Sequence, residues 1–175
     1  MPAKYSYGKS KDKLSNQQWF RSGMSTHGSA YLFNRSNSNG LSLGIMKNNK
    51  SKRHGCEHAE DVFIRYIKTN VGLLRTSPSV NTIVLSISKS PCSSTYGTSN
   101  KPLGCAEELI NFQNNPYRCP ITGNEYIFKL IVIARALYKQ SSGSRKALTM
   151  MKLNGIEVTT DVHRKKDGSS MAKEY

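Results

Sequence analysis

Four residues of this chain could do chemistry together. His58 and Glu60 stand two apart in "CEHAED", Cys92 follows Pro91 in "SKSPC", and Cys105 lies in "GCAEEL". One imidazole nitrogen and two thiolates are donors that hold zinc in a tetrahedron, and a catalytic site leaves the fourth position to water. A carboxylate two residues from the histidine stands where protons would be moved. Each fragment alone says little. His-x-Glu arises by chance in many proteins, with the histidine then a surface or core residue. The twelve residues between the cysteines exceed the usual zinc-ligand interval. A purely structural zinc site would need a fourth ligand, and Cys56 and His54 lie too close to His58, on its wrong side, to serve. Cys56 and Cys119 read as buried thiols.

Several elements must position these residues. Two residues along a helix point to nearly opposite sides, so His58 belongs at or just before a helix start. Ala59, Val62, Phe63, Tyr66 and Ile67 recur at helical spacing, with acids in front and Lys68 behind, predicting a helix within 56–72. Helix N-termini carry the positive potential that suits a thiolate or carboxylate. "NTIVLSIS" predicts a short buried strand ending before Pro91, and "GCAEELINF" a helix headed by Cys105. "YIFKLIVIARALY" holds the near-continuous apolar run of a central strand. "SRKALTMMKLNG" reads as a helix closed by Gly155, and "IEVTTDV" as a last strand. Upstream, "KLSNQQWFRSG" predicts a short helix, "AYLFNRSNSNGLSLGIM" a hairpin, and "KNNKSKRHG" a basic loop without a core face. The order predicts one α/β domain over 13–162: a mixed five-stranded sheet with an opening antiparallel hairpin and helices on both faces. A flexible basic arm (1–12) precedes it and a polar tail (163–175) follows. The candidate ligands gather where two helices begin, at the strand ends where α/β sheets bind ligands.

Charge narrows the partner. Lys and Arg number 26 against 11 Asp and Glu, a net charge of +15, which attracts polyanions and nucleic acid above all. Membrane is disfavoured as a partner: no apolar run reaches the roughly 18 residues of a span, and no basic amphipathic stretch has a long apolar face. The N-terminus lacks the apolar core of a signal peptide, so an intracellular site, cytoplasm or nucleus, is expected. Four cysteines are few for a disulfide scaffold and fit a reducing compartment, as metal ligands and core thiols.

The conjunction of the fragments is more telling than any one of them. His-x-Glu opening a helix, then a strand, then Pro-Cys, then a cysteine opening the next helix is a signature of zinc deaminases, in which the Glu is not a ligand. "HAEDVFIRYI", "LSISKSPC", "CAEELINF", "ARALY" and "ALTMMKLNGIEV" resemble matching segments of the activation-induced deaminase and APOBEC family. That family shows His-[Val/Ala]-Glu with an "LRYI"-like helix, Ser-Trp-Ser-Pro-Cys, Cys-Ala, Ala-Arg-Leu-Tyr and a "Leu…Gly-Val" helix-strand unit. The similarity covers roughly residues 28–162 in the same order.

The resemblance implies a hydrolase: a zinc-dependent cytidine deaminase converting cytosine to uracil in single-stranded polynucleotide, with DNA favoured over RNA. It implies one Zn²⁺ per chain on His58, Cys92 and Cys105, acidifying a water toward a pKa of ~7. Glu60 becomes the proton carrier, and the Ala59 N–H meets the base carbonyl. Asn48, or Asn49 in an alternative register, touches the sugar. Tyr138 stacks near the flipped cytosine, or else is an ordinary strand-end tyrosine. Ser90, in Ser-Pro-Cys, joins the pocket. Two basic runs flank this end, Lys47, Lys50, Lys52 and Arg53 in one and Lys139, Arg145 and Lys146 in the other. They are candidates for gripping phosphates in a salt-dependent way, or are solvated surface charges. The protein is expected to be a monomer or weak oligomer and to serve DNA editing, as in immunity.

Departures from the family pattern qualify this picture. Lys89 replaces the pocket Trp, and Ala30 stands where a Thr is expected. The inter-cysteine segment "SSTYGTSNKPLG" reads as a surface loop that bulges out and adds a rim to the groove. "KQSSGSRKA" carries no aromatic for a neighbouring base, so loose sequence context is expected. The family would continue with two further helices, so the last strand is expected to be less protected. Three other readings stay open: a free cytidine or deoxycytidine deaminase, which has little use for the charge; an RNA deaminase, one 2′-OH contact away; and a catalytically weak nucleic-acid binder. Glu60 argues against the last, Lys89 and Ala30 for it.

Overall fold

The computed structural model describes residues 26–34, 38–51, 55–72, 81–162 and 171–174. The expected arm and the expected helix over 13–23 lie outside them.

Strands β1 (His27–Phe33) and β2 (Leu41–Lys47) form the opening antiparallel hairpin, whose register shifts between Ser29 and Tyr31. Two short strands, β3 (Asn49–Ser51) and β4 (Gly55–Glu57), pair antiparallel where the sequence predicts only a basic loop. Helix α1 (Ala59–Asn70) follows, then β5 (Asn81–Ile87) and helix α2 (Cys105–Asn114). A second small ladder joins β6 (Tyr117–Arg118) and β7 (Glu125–Tyr126), and β8 (Phe128–Ala134) comes next. A 3₁₀ turn (Tyr138–Gln140), helix α3 (Ser142–Leu153), β9 (Glu157–Val162) and β10 (Met171–Glu174) complete the order.

The five expected strands form one mixed sheet in the order β9-β8-β5-β1-β2. β10, from the expected polar tail, adds a sixth by pairing antiparallel with β9. β9, expected to be a less protected last strand, is therefore paired on its outer edge. β5 runs parallel to β8 and β8 to β9, each through a helical crossover, as parallel pairing requires. Alternation separates two faces. Ala30, Leu32, Ile83, Leu85, Ile87, Leu130, Val132 and Val158 share one core with α1, α2 and α3, while Val84, Ile131 and Ile133 are buried on the other face. At the centre Phe112 stacks on Phe128 at 5.1 Å and meets Phe63 edge-on at 5.9 Å. Truncating so buried an aromatic removes about 3–5 kcal/mol.

The topology sets the position of the site. Parallel β5 and β8 end at the same edge of the sheet, leading to Ser90–Cys92 and to Tyr138. β1 runs the other way, so His27 starts there, and its partner Lys47 in β2 ends there. The Ser88 N–H closes this edge by donating to the His27 carbonyl at 2.9 Å. Asn48 follows Lys47 directly, and the β3–β4 ladder returns the chain to it at the start of α1, where Asn48 Oδ1 meets the Ala59 N–H.

Candidate metal centre

His58 is the N-cap of α1, in extended conformation, and Cys105 is the first residue of α2, as the spacing requires. The His58 N–H donates to Asp61 Oδ2 at 2.7 Å, which locks the helix start. The second sulfur arrives because Gly104 has no side chain. A Cβ there would lie 2.6 Å from Ser93 Cα and 2.7 Å from the Cys92 carbonyl oxygen. The same carbonyl accepts from the Ala106 N–H at 2.9 Å. His58 Nδ1 then stands 3.2 Å from Cys105 Sγ and 3.5 Å from Cys92 Sγ, with the two sulfurs 3.5 Å apart. Tetrahedral bonds of ~2.0 Å to nitrogen and ~2.3 Å to sulfur put such atoms about 3.5–3.8 Å apart. The triangle matches to a few tenths of an ångström. Cys92 and Cys105 are buried and His58 is half-buried, so the group can hold a metal ion, and its donors are compatible with zinc.

The three donors are hydrogen-bonded to one another. The Cys105 hydrogen bond, with help from His58, draws the Cys92 thiol down to about 4. The same bond to Cys92, and then burial, push Cys105 up. The Cys92 hydrogen bond raises His58. A cation replacing those protons would meet three donor atoms within 4.8 Å of one another.

Glu60 is 2 % exposed, and its Oε2 has no hydrogen-bond partner. Burial pushes its carboxyl up to about 7, aided by the Cys92 charge and opposed by a backbone hydrogen bond and by His58. An unpartnered buried carboxyl is expensive unless something uses it.

Asn48 Oδ1 accepts from the Ala59 N–H at 2.9 Å, so two expected substrate contacts are bonded to each other. Ser90 is 3 % exposed and lies behind Tyr138, whose N–H its Oγ accepts at 2.8 Å. Ser144 Oγ donates to the Tyr138 carbonyl. Lys139 follows in the left-handed region at φ 53°, and its Nζ lies 5.3 Å from the centroid of the Tyr138 ring. A backbone held this tightly beside a strained residue marks a position the fold defines with care. Lys47, Lys139, Arg145 and Lys146 are exposed and Lys89 is half-buried. Lys52 and Arg53 lie outside the described residues, as do the side chains of Asn49, Lys50 and Cys56. Cys119 is a buried thiol, as expected.

The inter-cysteine segment does not bulge free. Glu107 Oε1 accepts from Ser93 Oγ at 2.5 Å and from the Thr95 N–H at 3.0 Å. Thr98 is buried, and a Cβ at Gly143 would meet the Tyr96 carbonyl at 2.6 Å, so the segment also rests on the first turn of α3. Lys101 Nζ reaches Asp61 Oδ1 at 2.6 Å and Glu108 Oε2 at 3.2 Å. Burial and then the hydrogen bond to Asp61 raise Glu108 to about 7. Burial would raise Asp61 as well, but hydrogen bonds from Glu108, Lys101 and the His58 N–H hold it low. Sequence reasoning missed Lys101, whose partner Asp61 is forty residues away.

A groove of about 690 Å³ between α1 and α2 is lined by Asp61, Arg65, Lys101 and Tyr117, among others, and by none of the metal-cluster residues. Most of its charges pair with one another, Arg65 with Glu57 and Lys101 with Asp61 and Glu108, while Lys68 Nζ lies 6.0 Å from the centroid of the Tyr117 ring. Among the described residues no helix is long and apolar enough to cross a membrane. Neither a family model nor a curated protein sequence matches this chain.

Proposed function

We propose that this protein deaminates cytosine to uracil in single-stranded polynucleotide, DNA before RNA, with one zinc ion on His58, Cys92 and Cys105. The observation that carries the reading is the buried Glu60 carboxyl, with its Oε2 bare, beside a three-donor cluster. A structural site would recruit a fourth ligand and would have no use for such an acid. When bound, the metal supplies Lewis-acid chemistry and acidifies a water to about neutrality. Glu60 accepts that proton, delivers it to the ring nitrogen, and then serves the departing ammonia; water and cytosine become uracil and ammonia. The Ala59 N–H holds the base carbonyl once Asn48 gives way, and the Tyr138 ring lines the base. Lys47, Lys139, Arg145 and Lys146 stand near the edge of the sheet where these residues meet, which supports a phosphate path.

The test is uracil formation in an oligodeoxynucleotide with one cytosine, at low salt, for the parent and for Glu60→Ala. Product from the parent and none from the variant is the expected result. Zinc bound one per chain with no product from DNA, RNA or free cytidine would overturn the reading. Product from free cytidine alone would reassign the substrate to the nucleoside.

A further inference from the structure

We infer that Lys101, from the twelve-residue segment between the two cysteines, is a positioning residue for the metal cluster. It fixes the separation of the two helix starts that carry His58 and Cys105. The inference rests on the metal-site part of the proposed function and is independent of the substrate.

The geometry is that of two parallel ties. In the first, His58 Nδ1 and Cys105 Sγ stand 3.2 Å apart. One turn along each helix the second tie repeats the link: Asp61 lies three residues after His58, Glu108 three after Cys105, and the Lys101 ammonium bonds both, at 2.6 and 3.2 Å. Asp61 divides its oxygens between the two. Oδ1 takes the ammonium, while Oδ2 takes the His58 N–H at 2.7 Å. The ammonium therefore orients the carboxylate that holds the backbone of a ligand.

The segment carrying Lys101 is itself anchored at both ends. Its start is bonded by Glu107 through Ser93 and Thr95, and at its end the Gly104 carbonyl accepts from the Glu108 N–H at 3.0 Å. Lys101 and Asp61 side chains are 26 % and 14 % exposed, so this is not a loose surface pair. Without the cation nothing but a proton shared between Asp61 and Glu108 would link the two helix starts at this level, leaving α1 freer to move against α2. Ligands that must meet one ion at ~2.0–2.3 Å do not tolerate such movement.

The experiment measures zinc affinity of the full chain by chelator competition, and the absorption spectrum of the Co²⁺-loaded protein, without nucleic acid. Outer contacts of this kind are worth about 10–100-fold in metal affinity. Lys101→Met is expected to weaken zinc binding by about that factor and to shift the Co²⁺ bands. Lys101→Arg keeps a cation and is expected to stay within about threefold of the parent. Lys101→Met with the parent's affinity and spectrum would overturn the inference, as would a lowered thermal midpoint of the metal-free protein with zinc affinity unchanged. Should Lys101→Met not fold, Lys101→Gln decides on the same terms. A parent that binds zinc but makes no uracil refutes the proposed reaction and leaves Lys101 its role. A parent that binds no zinc overturns both.

Discussion

Glu60 and Asp61 are adjacent acids at one helix start, and they live by opposite rules. Asp61 has a partner for each oxygen, Lys101 on one and the His58 N–H on the other, and it stays ionised. Glu60 is more deeply buried, has a bare oxygen, and is pushed toward the protonated form. Helical geometry separates them by about 100°, so Asp61 meets the charge network between α1 and α2, while Glu60 lies near enough to Cys92 and His58 to feel their charges. Folding satisfies Asp61 and leaves Glu60 unsatisfied. A carboxyl that costs stability, held beside three candidate metal donors, is what the proposed proton carrier requires.

This contrast can be broken most directly at Glu60. Its folded carboxyl binds a proton more tightly than the unfolded one, about 7 against 4.5, so the metal-free protein loses stability as pH rises through that window. Glu60→Gln removes the charge and keeps the shape. It is expected to raise the stability of the metal-free protein by up to about 3 kcal/mol at pH 8. The gain should vanish below about pH 4.5, where the acid is protonated in both states. Denaturant midpoints at the two pH values measure it, and a loss of stability at pH 8 would end the contrast.

Asp61→Asn should act in the opposite direction. It withdraws the anion from a part-buried ammonium and weakens the cap on His58, lowering stability by about 2 kcal/mol on the same measurement. An unchanged midpoint would mean that the network is decorative. The smallest effect belongs to Arg65, paired to Glu57 at 2.9 and 3.0 Å but 45 % exposed. Arg65→Ala should change stability by less than about 0.5 kcal/mol. A larger loss would show that geometry outweighs exposure in this groove.

The long-period features were legible in the sequence. The apolar runs of β5 and β8, the helical spacing of Ala59, Phe63 and Ile67, and the placement of His58 and Cys105 at helix starts are local signals, and local propensity agrees with the fold there. What escaped has no local cause. β3, β4, β6 and β7 are two or three residues long, too short for alternation to register, and exist because a partner segment lies alongside. β10 lies in polar sequence and is defined by the free edge of β9. The inter-cysteine segment, read as an outward loop from its Ser, Gly and Asn content, is drawn in by Glu107 and Lys101, and composition cannot report bonds across the chain. Asn48 was singled out, but its bond to the Ala59 N–H depends on two segments meeting at the sheet edge.

That bond bears on how the site would discriminate. A buried backbone donor is not left bare while the site waits; a carboxamide oxygen occupies it at 2.9 Å. The group held there has the planar C=O geometry of a lactam or a urea, so under the proposed reaction it would imitate the pyrimidine carbonyl that replaces it. An arriving ligand gains little from the donor, because it exchanges one hydrogen bond for an equivalent one. A ligand without a carbonyl at that point must either leave Asn48 in place, where it obstructs, or displace it and strand the N–H. Under the proposed reaction the contact would work by rejection of wrong shapes, not by attraction of right ones.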